Sequence, residues 1–177
     1  MLEKIIELTN EYIESMPKKE RKKYGQFFTS METARFMAAL YNIDEKKRRV
    51  SVLDAGAGSG ILSCAFIEIL EMIDSIQEIE LTCYENDNNV LPLLKQNLEY
   101  CKEKSGKKID INIIEDNYIL SQYLDFNHMI GGNDDPKKND FVIGNPPYMK
   151  ISKDAPEATA MPKVCYGAPN LYFIFAS

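Results

Sequence analysis

Histidine is nearly missing from this chain: His128 stands alone, and Cys64, Cys83, Cys101 and Cys165 are scattered without a C-x-x-C pair. That argues against a disulfide framework and against a zinc site, so no metal is expected and the thiols should be reduced. Long apolar runs are missing too. Nothing here is long enough to span a bilayer, and the opening MLEKIIELTNEYIE is too charged for a signal peptide. A cytoplasmic protein without a membrane partner is expected. Positive charge is in deficit, with a formal net charge of −6. By itself such a chain is a poor binder of duplex nucleic acid, because phosphate contacts need Lys and Arg. What is present, 177 residues with 45% hydrophobic content, suffices for one α/β domain with a proper core.

Residues 2 to 15 place Leu2, Ile5, Ile6 and Ile13 among acids, as an amphipathic helix would. The run PKKERKKY follows, a solvated connector or a contact for an anionic polymer. In GQFFTSMETARFMAALY, Thr29 and Glu32 have capping-box spacing, and Phe36, Met37, Leu40 and Tyr41 form a helical stripe. From Val50 onward short apolar runs alternate with longer amphipathic ones. The pattern predicts strands near 50–54, 79–84, 109–114 and 140–144 and helices near 59–74 and 88–103. This βαβαβ order implies a parallel sheet with helices on both faces, which binds ligands beyond the carboxyl ends of its strands. Residues 127–139 read as a loop or insertion. At the far end, Asn170 is a good N-cap for the apolar LYFIF, so a buried helix is expected there. No C-cap follows it, and the expectation is that the chain is the N-terminal part of a longer protein.

Chemistry concentrates at the predicted strand ends. In SVLDAGAGSG, Gly56, Gly58 and Gly60 follow the first strand, where glycines let the backbone approach a ligand. A dinucleotide fingerprint would want its third glycine where Ile61 stands, and no pyrophosphate explains an acid at Asp54. The pattern D-x-G-x-G-x-G, with Ala55 between acid and glycine, suits S-adenosylmethionine instead. Asp54 would then help hold the cationic amino-acid end, directly or through water; the bland alternative is a tight turn. At the second strand end Glu85 can accept both ribose hydroxyls, with Asp87 as the competing acid. Asp116, after the third strand, can accept from the exocyclic amine of a cofactor adenine, and Tyr118 can cover its ring.

The fourth run, DFVIGNPPYM, carries Phe141, Val142 and Ile143 without interruption and reads as a strand covered on both faces. Pairing must stop at Pro146. Each proline fixes φ and lacks an N–H, and each pushes its predecessor towards extended geometry. The result is a stiff tip offering the Asn145 amide, carbonyls without a local partner and the Tyr148 ring.

With these motifs in this order, GQFFTS, LDAGAGSG, YEND, EDNYIL, GNPPY and NLYFIF, the chain resembles the gamma-class N6-adenine DNA methyltransferases of restriction-modification systems. The resemblance implies a Rossmann-like, S-adenosylmethionine-dependent fold. It divides the chain into a helix and basic connector over 1–24 and the N-terminal part of a catalytic domain over 25–177, with later strands and the target-recognition domain absent. It also implies that Thr29 contacts the cofactor carboxylate, that Asp54 and the glycines form the methionine side, and that Glu85 binds ribose. Asp116 meets adenine, and Asn145 to Tyr148, with Pro146 and Pro147 between them, hold the target base. Ser30 stands where the family usually has proline.

The chemistry then accounts for the tip. The amino nitrogen of adenine is a poor nucleophile because its lone pair is delocalised into the ring. The Asn145 side-chain oxygen and the Pro146 carbonyl can bind its two hydrogens and favour a tetrahedral nitrogen, with Tyr148 stacked on a base flipped from the duplex. No Pro-Cys nucleophile motif is present, which disfavours cytosine-C5 chemistry. The alternatives are a protein-glutamine methyltransferase, an RNA methyltransferase and a cofactor-binding assembly subunit without activity. Double-stranded DNA would be met through the missing C-terminal region, so residues 1–177 should bind cofactor, fail at site-specific methylation and self-associate through an open sheet edge.

Overall fold

The computed structural model describes residues 1–19, 28–122, 138–147, 149–162, 165, 167 and 169–175. Helix α1 (Leu2–Ser15) and helix α2 (Met31–Ala39) precede an alternating core. That core is β1 (Arg49–Asp54), α3 (Ile61–Glu71), β2 (Glu78–Tyr84), α4 (Leu91–Lys104) and β3 (Lys108–Ile114). Strand β4 (Phe141–Ile143) and the short helices α5 (Pro156–Ala160) and α6 (Leu171–Phe175) follow. None of the described helices is long and apolar enough to cross a membrane.

All four strands run parallel in the order β3-β2-β1-β4. Because side chains alternate along a strand, one row of each faces the same layer. Val50 and Val52, Ile79, Leu81 and Cys83, Ile109 and Ile143 form that row, buried against Phe66, Ile67 and Leu70 of α3 and Leu94 and Leu98 of α4. Helices α1 and α2 pack on the same layer, through Leu2 and Ile5 and through Ala34 and Ala38. The opposite row is polar at its start, with Ser51, Glu80, Asp110 and Asn112. Further along, Tyr118 meets Tyr84 edge-on at 5.1 Å. Tyr118 opens a helical stretch, residues 118–122. The reversal of strand order between β1 and β4 opens a crevice at the carboxyl edge.

Three local expectations are corrected. Val142 is 54% exposed, so β4 is not covered on both faces: it is an edge strand, and its middle side chain points away from the helical layer. Its position is set instead by polar anchors. The Tyr41 hydroxyl donates to the Val142 carbonyl (2.6 Å), and the Ser51 amide donates to Asp140 (2.9 Å), which also pairs with Lys47. The cap of α2 is Ser30, not Thr29, since the Ser30 hydroxyl accepts from the Thr33 amide. Half of the stripe on α2 holds: Met37 and Tyr41 pack against the core with the buried Ala34 and Ala38, while Phe36 and Leu40 are each 66% exposed. Alanines let two helix backbones approach closely, and that contact outweighs the larger apolar side chains on the other face.

Candidate functional site

The carboxyl ends of β1, β2, β3 and β4 converge on a cleft of about 590 Å³, lined by Ala55, Gly56, Gly58, Glu85, Asp116, Tyr118, Asn145, Pro146 and Pro147. These nine residues, all singled out from the sequence, thus share one wall system with the competing acid Asp87. Thr29 touches it through Asn145, and Asp54 lies outside the lining. Tyr148 and residues 25–27 fall outside the described residues.

The glycine loop and Glu85 are one unit. Gly58 has φ +55°, a left-handed conformation that side chains resist, and a Cβ there would meet nothing within 4 Å. In that conformation its N–H donates to Glu85 Oε2 at 2.9 Å, while the Asp87 N–H donates to Oε1 at 2.8 Å. Each carboxylate oxygen keeps a lone pair for a further donor. Burial pushes the Glu85 pKa up, and the backbone N–H groups pull against it. Asp87, the competing acid, accepts from the Asn89 backbone and side-chain nitrogens at 2.9 and 3.0 Å.

Asp54 follows the parity of its strand. It shares the inward row with Val50 and Val52, so its carboxylate is 1% exposed beneath α3, where Ser63 Oγ donates to Oδ2 at 2.6 Å. Oδ1 has no partner. Burial raises its pKa from 3.8 to about 6; the Ser63 hydroxyl and the Gly56 N–H, the latter short of bonding geometry, oppose the rise, and Glu85 adds to it. A raised carboxyl pKa means that the native state holds the proton more tightly than the unfolded chain, so stability falls as pH rises from about 4 to about 6. Asp54→Asn removes the ionisation. Its stability relative to the parent should therefore climb by roughly 3 kcal/mol across that window and level off above it, as read by urea denaturation at each pH. A difference that stays flat with pH would contradict the buried charge.

At the end of β3, Asp116 Oδ1 accepts from the Asn117 N–H at 2.7 Å. Asn117 reaches over to Glu157 of α5 (2.8 Å), tying the segment after the prolines to this strand end. Tyr118 is half-buried, and stacked on it is Phe175, with centroids 6.0 Å apart and an 18° interplanar angle. The same Phe175 ring stands 3.7 Å from where a Gly56 Cβ would be. Sequence reading placed Phe175 only in an apolar helix. It arrives here because Asn170 caps α6 through the Tyr172 N–H (3.0 Å), and Leu171 N–H donates to the Met149 carbonyl (3.0 Å). No local signal announces that contact. Glu157 was likewise missed.

At the fourth end, Asn145 Nδ2 donates to Thr29 Oγ1 at 3.0 Å. The amide nitrogen is thereby committed, and the oxygen is the end left to accept from a bound group. Pro146 contributes a carbonyl with no backbone partner among the described residues, whereas the Pro147 carbonyl accepts from the Met149 N–H at 2.9 Å. The tip is thus tied locally at one of its two proline carbonyls, which the sequence had suggested were both free.

Strand order, glycine loop and strand-end carboxylate together define the S-adenosylmethionine-dependent methyltransferase fold. A protein of Listeria monocytogenes described as a class I S-adenosylmethionine-dependent methyltransferase superposes with a TM-score of 0.57, over 88% of this chain and 45% of that one, at 16% identity. The chain belongs to the N-6 DNA methylase family, whose model matches residues 7–164. It is 32% identical over 161 residues, 89% of its length, to Type II methyltransferase M.PstI of Providencia stuartii. It is also 32% identical over 162 residues, 90% of its length, to Type II methyltransferase M.BsuBI of Bacillus subtilis. The chain spans 30% and 31% of those two proteins. The cofactor of this class is S-adenosylmethionine, and the cleft fits it: open space at Gly58, a carboxylate with two available lone pairs and the Tyr118 ring in the lining.

Proposed function

We propose that the protein containing this chain methylates the exocyclic amino group of adenine in DNA, as a gamma-class enzyme of a restriction-modification system. The observation that carries this is the Asn145 side chain, whose nitrogen donates to Thr29 Oγ1 and whose oxygen is left to accept. An amine with a delocalised lone pair needs two acceptors. Asn145 Oδ1 and the Pro146 carbonyl supply them, and the prolines hold both still. Tyr148 stacks on the extruded base.

S-adenosylmethionine supplies the methyl group as a sulfonium. The chain's own part is to place it. Glu85 accepts the ribose hydroxyls, Asp116 accepts from the adenine amine, and Tyr118 covers the ring. Gly56, Gly58 and Ala55 pass beside the nucleoside, Thr29 meets the carboxylate end, and Asp54 acts from beneath the loop on the cationic end. The chain spans 30% of M.PstI, and duplex contacts would fall to the remainder of such a protein, because a net charge of −6 leaves this chain few cations to spare for phosphates. The exposed Val142 on the β4 edge and Phe173, 63% exposed, favour self-association of residues 1–177 on their own.

The test uses the full-length protein with radiolabelled S-adenosylmethionine and three acceptors: duplex DNA, RNA and a glutamine-containing peptide. Label in N6-methyladenine of DNA is expected. Label in RNA or peptide alone would replace the substrate assignment, and no label in any acceptor would favour a binding subunit.

A further inference from the structure

We propose that Asn97, on α4, is a positioning residue for cofactor binding: its carboxamide holds the Ser59 carbonyl and thereby sets the conformation of the glycine loop. The proposal rests on reading that loop as the cofactor cradle. Asn97 does not line the cleft.

The residue is out of place by composition. It is fully buried on a helix face shared with Leu94, Leu98 and Cys101, where an amide is unfavourable unless it is bonded. Among the described residues its side chain makes one hydrogen bond, from Nδ2 to the Ser59 carbonyl at 2.8 Å, and Oδ1 has no partner. The amide therefore serves no network of its own. Its single connection is to the loop.

That connection falls where the loop is most constrained. The Ser59 carbonyl and the Gly60 N–H belong to one planar peptide unit. Asn97 holds the carbonyl end, and the N–H end donates to the Ala57 carbonyl at 2.8 Å, closing a turn around Gly58. Gly60 itself has φ +81°, and a Cβ there would come within 3.0 Å of Leu94 Cδ1 and 3.3 Å of Leu98 Cδ2. The face of α4 is thus a template on which the loop seats. With the turn held at both ends, Ala57 N–H donates to the Tyr84 carbonyl at 2.9 Å and Gly58 N–H is aimed at Glu85 Oε2 at 2.9 Å. Asn97 acts on the ligand through that chain of contacts, from beneath the site.

A role confined to stability makes a different forecast. Asn97→Leu keeps the core filled and suits a helix, but removes the donor. Binding of S-adenosylhomocysteine, read by calorimetry well below each variant's own unfolding transition, should weaken about tenfold or more, as loss of one ordering hydrogen bond implies. Cys101→Ala, one turn along the same face and clear of the loop, should lower Tm and leave the Kd in place. Asn97→Ala serves if the leucine variant does not fold, with the affinity loss again exceeding that of Cys101→Ala at the same temperature. Either Asn97 variant binding within about twofold of the parent would overturn the proposal, as would an equal loss in Cys101→Ala. A parent chain that binds no S-adenosylhomocysteine would overturn the cradle reading and this role with it.

Discussion

Replacing Asn145 by alanine in the complete enzyme should remove methyl transfer while leaving the Kd for S-adenosylmethionine close to the parent's. The two effects separate because Asn145 faces the acceptor side of the cleft, and its only described bond is to Thr29 rather than to Glu85 or the glycine loop. A preorganised acceptor at a reacting nitrogen is worth a factor of about 10² to 10³ in rate. The loss should lie within that range. Single-turnover transfer of labelled methyl to duplex DNA measures the rate, and calorimetry measures the cofactor. Near-parent turnover would sink the acceptor mechanism. Thr29→Val should give a smaller rate loss, since it removes the partner that orients the amide but leaves the oxygen in place.

Glu85→Ala should show the opposite division. The variant loses two charge-assisted acceptors for ribose, each worth about 1.5 to 3 kcal/mol, and strands the Gly58 and Asp87 N–H groups that the carboxylate holds. A weakening of roughly 10² to 10⁴ in cofactor affinity is expected from those two acceptors. Glu85→Gln retains one acceptor oxygen and should fall between parent and alanine variant. Titration calorimetry with S-adenosylhomocysteine reads all three. Unchanged affinity in Glu85→Ala would mean that the ribose lies elsewhere. Asp87 would then be the next candidate, although its carboxylate already accepts from Asn89.

Much of the architecture was legible because its causes are local. Short apolar runs between longer amphipathic stretches placed four strands to within a residue or two, and the capping preference of Asn170 placed the start of α6. The stretch that misled was also local in kind. An unbroken Phe-Val-Ile run looks alike in a central and in an edge strand, and only the neighbours decide whether Val142 is covered. Thr29 and Ser30 are adjacent hydroxyls, both able to cap. The helix takes Ser30, and that leaves Thr29 for Asn145, 116 residues away.

By itself, then, the sequence determined the backbone menu of this protein: extended runs, glycines where φ is positive, and prolines that stiffen Asn145 at a strand end. Those are properties of a few consecutive residues, governed by steric limits that no distant contact is needed to state. The tertiary structure alone decided which way the functional groups face. Strand parity turned Asp54 under α3, the seating of α6 brought Phe175 onto Tyr118, and the packing of α4 put Asn97 beneath Ser59. Each of these depends on how separate elements stack, and close packing settles that among side chains far apart in the chain.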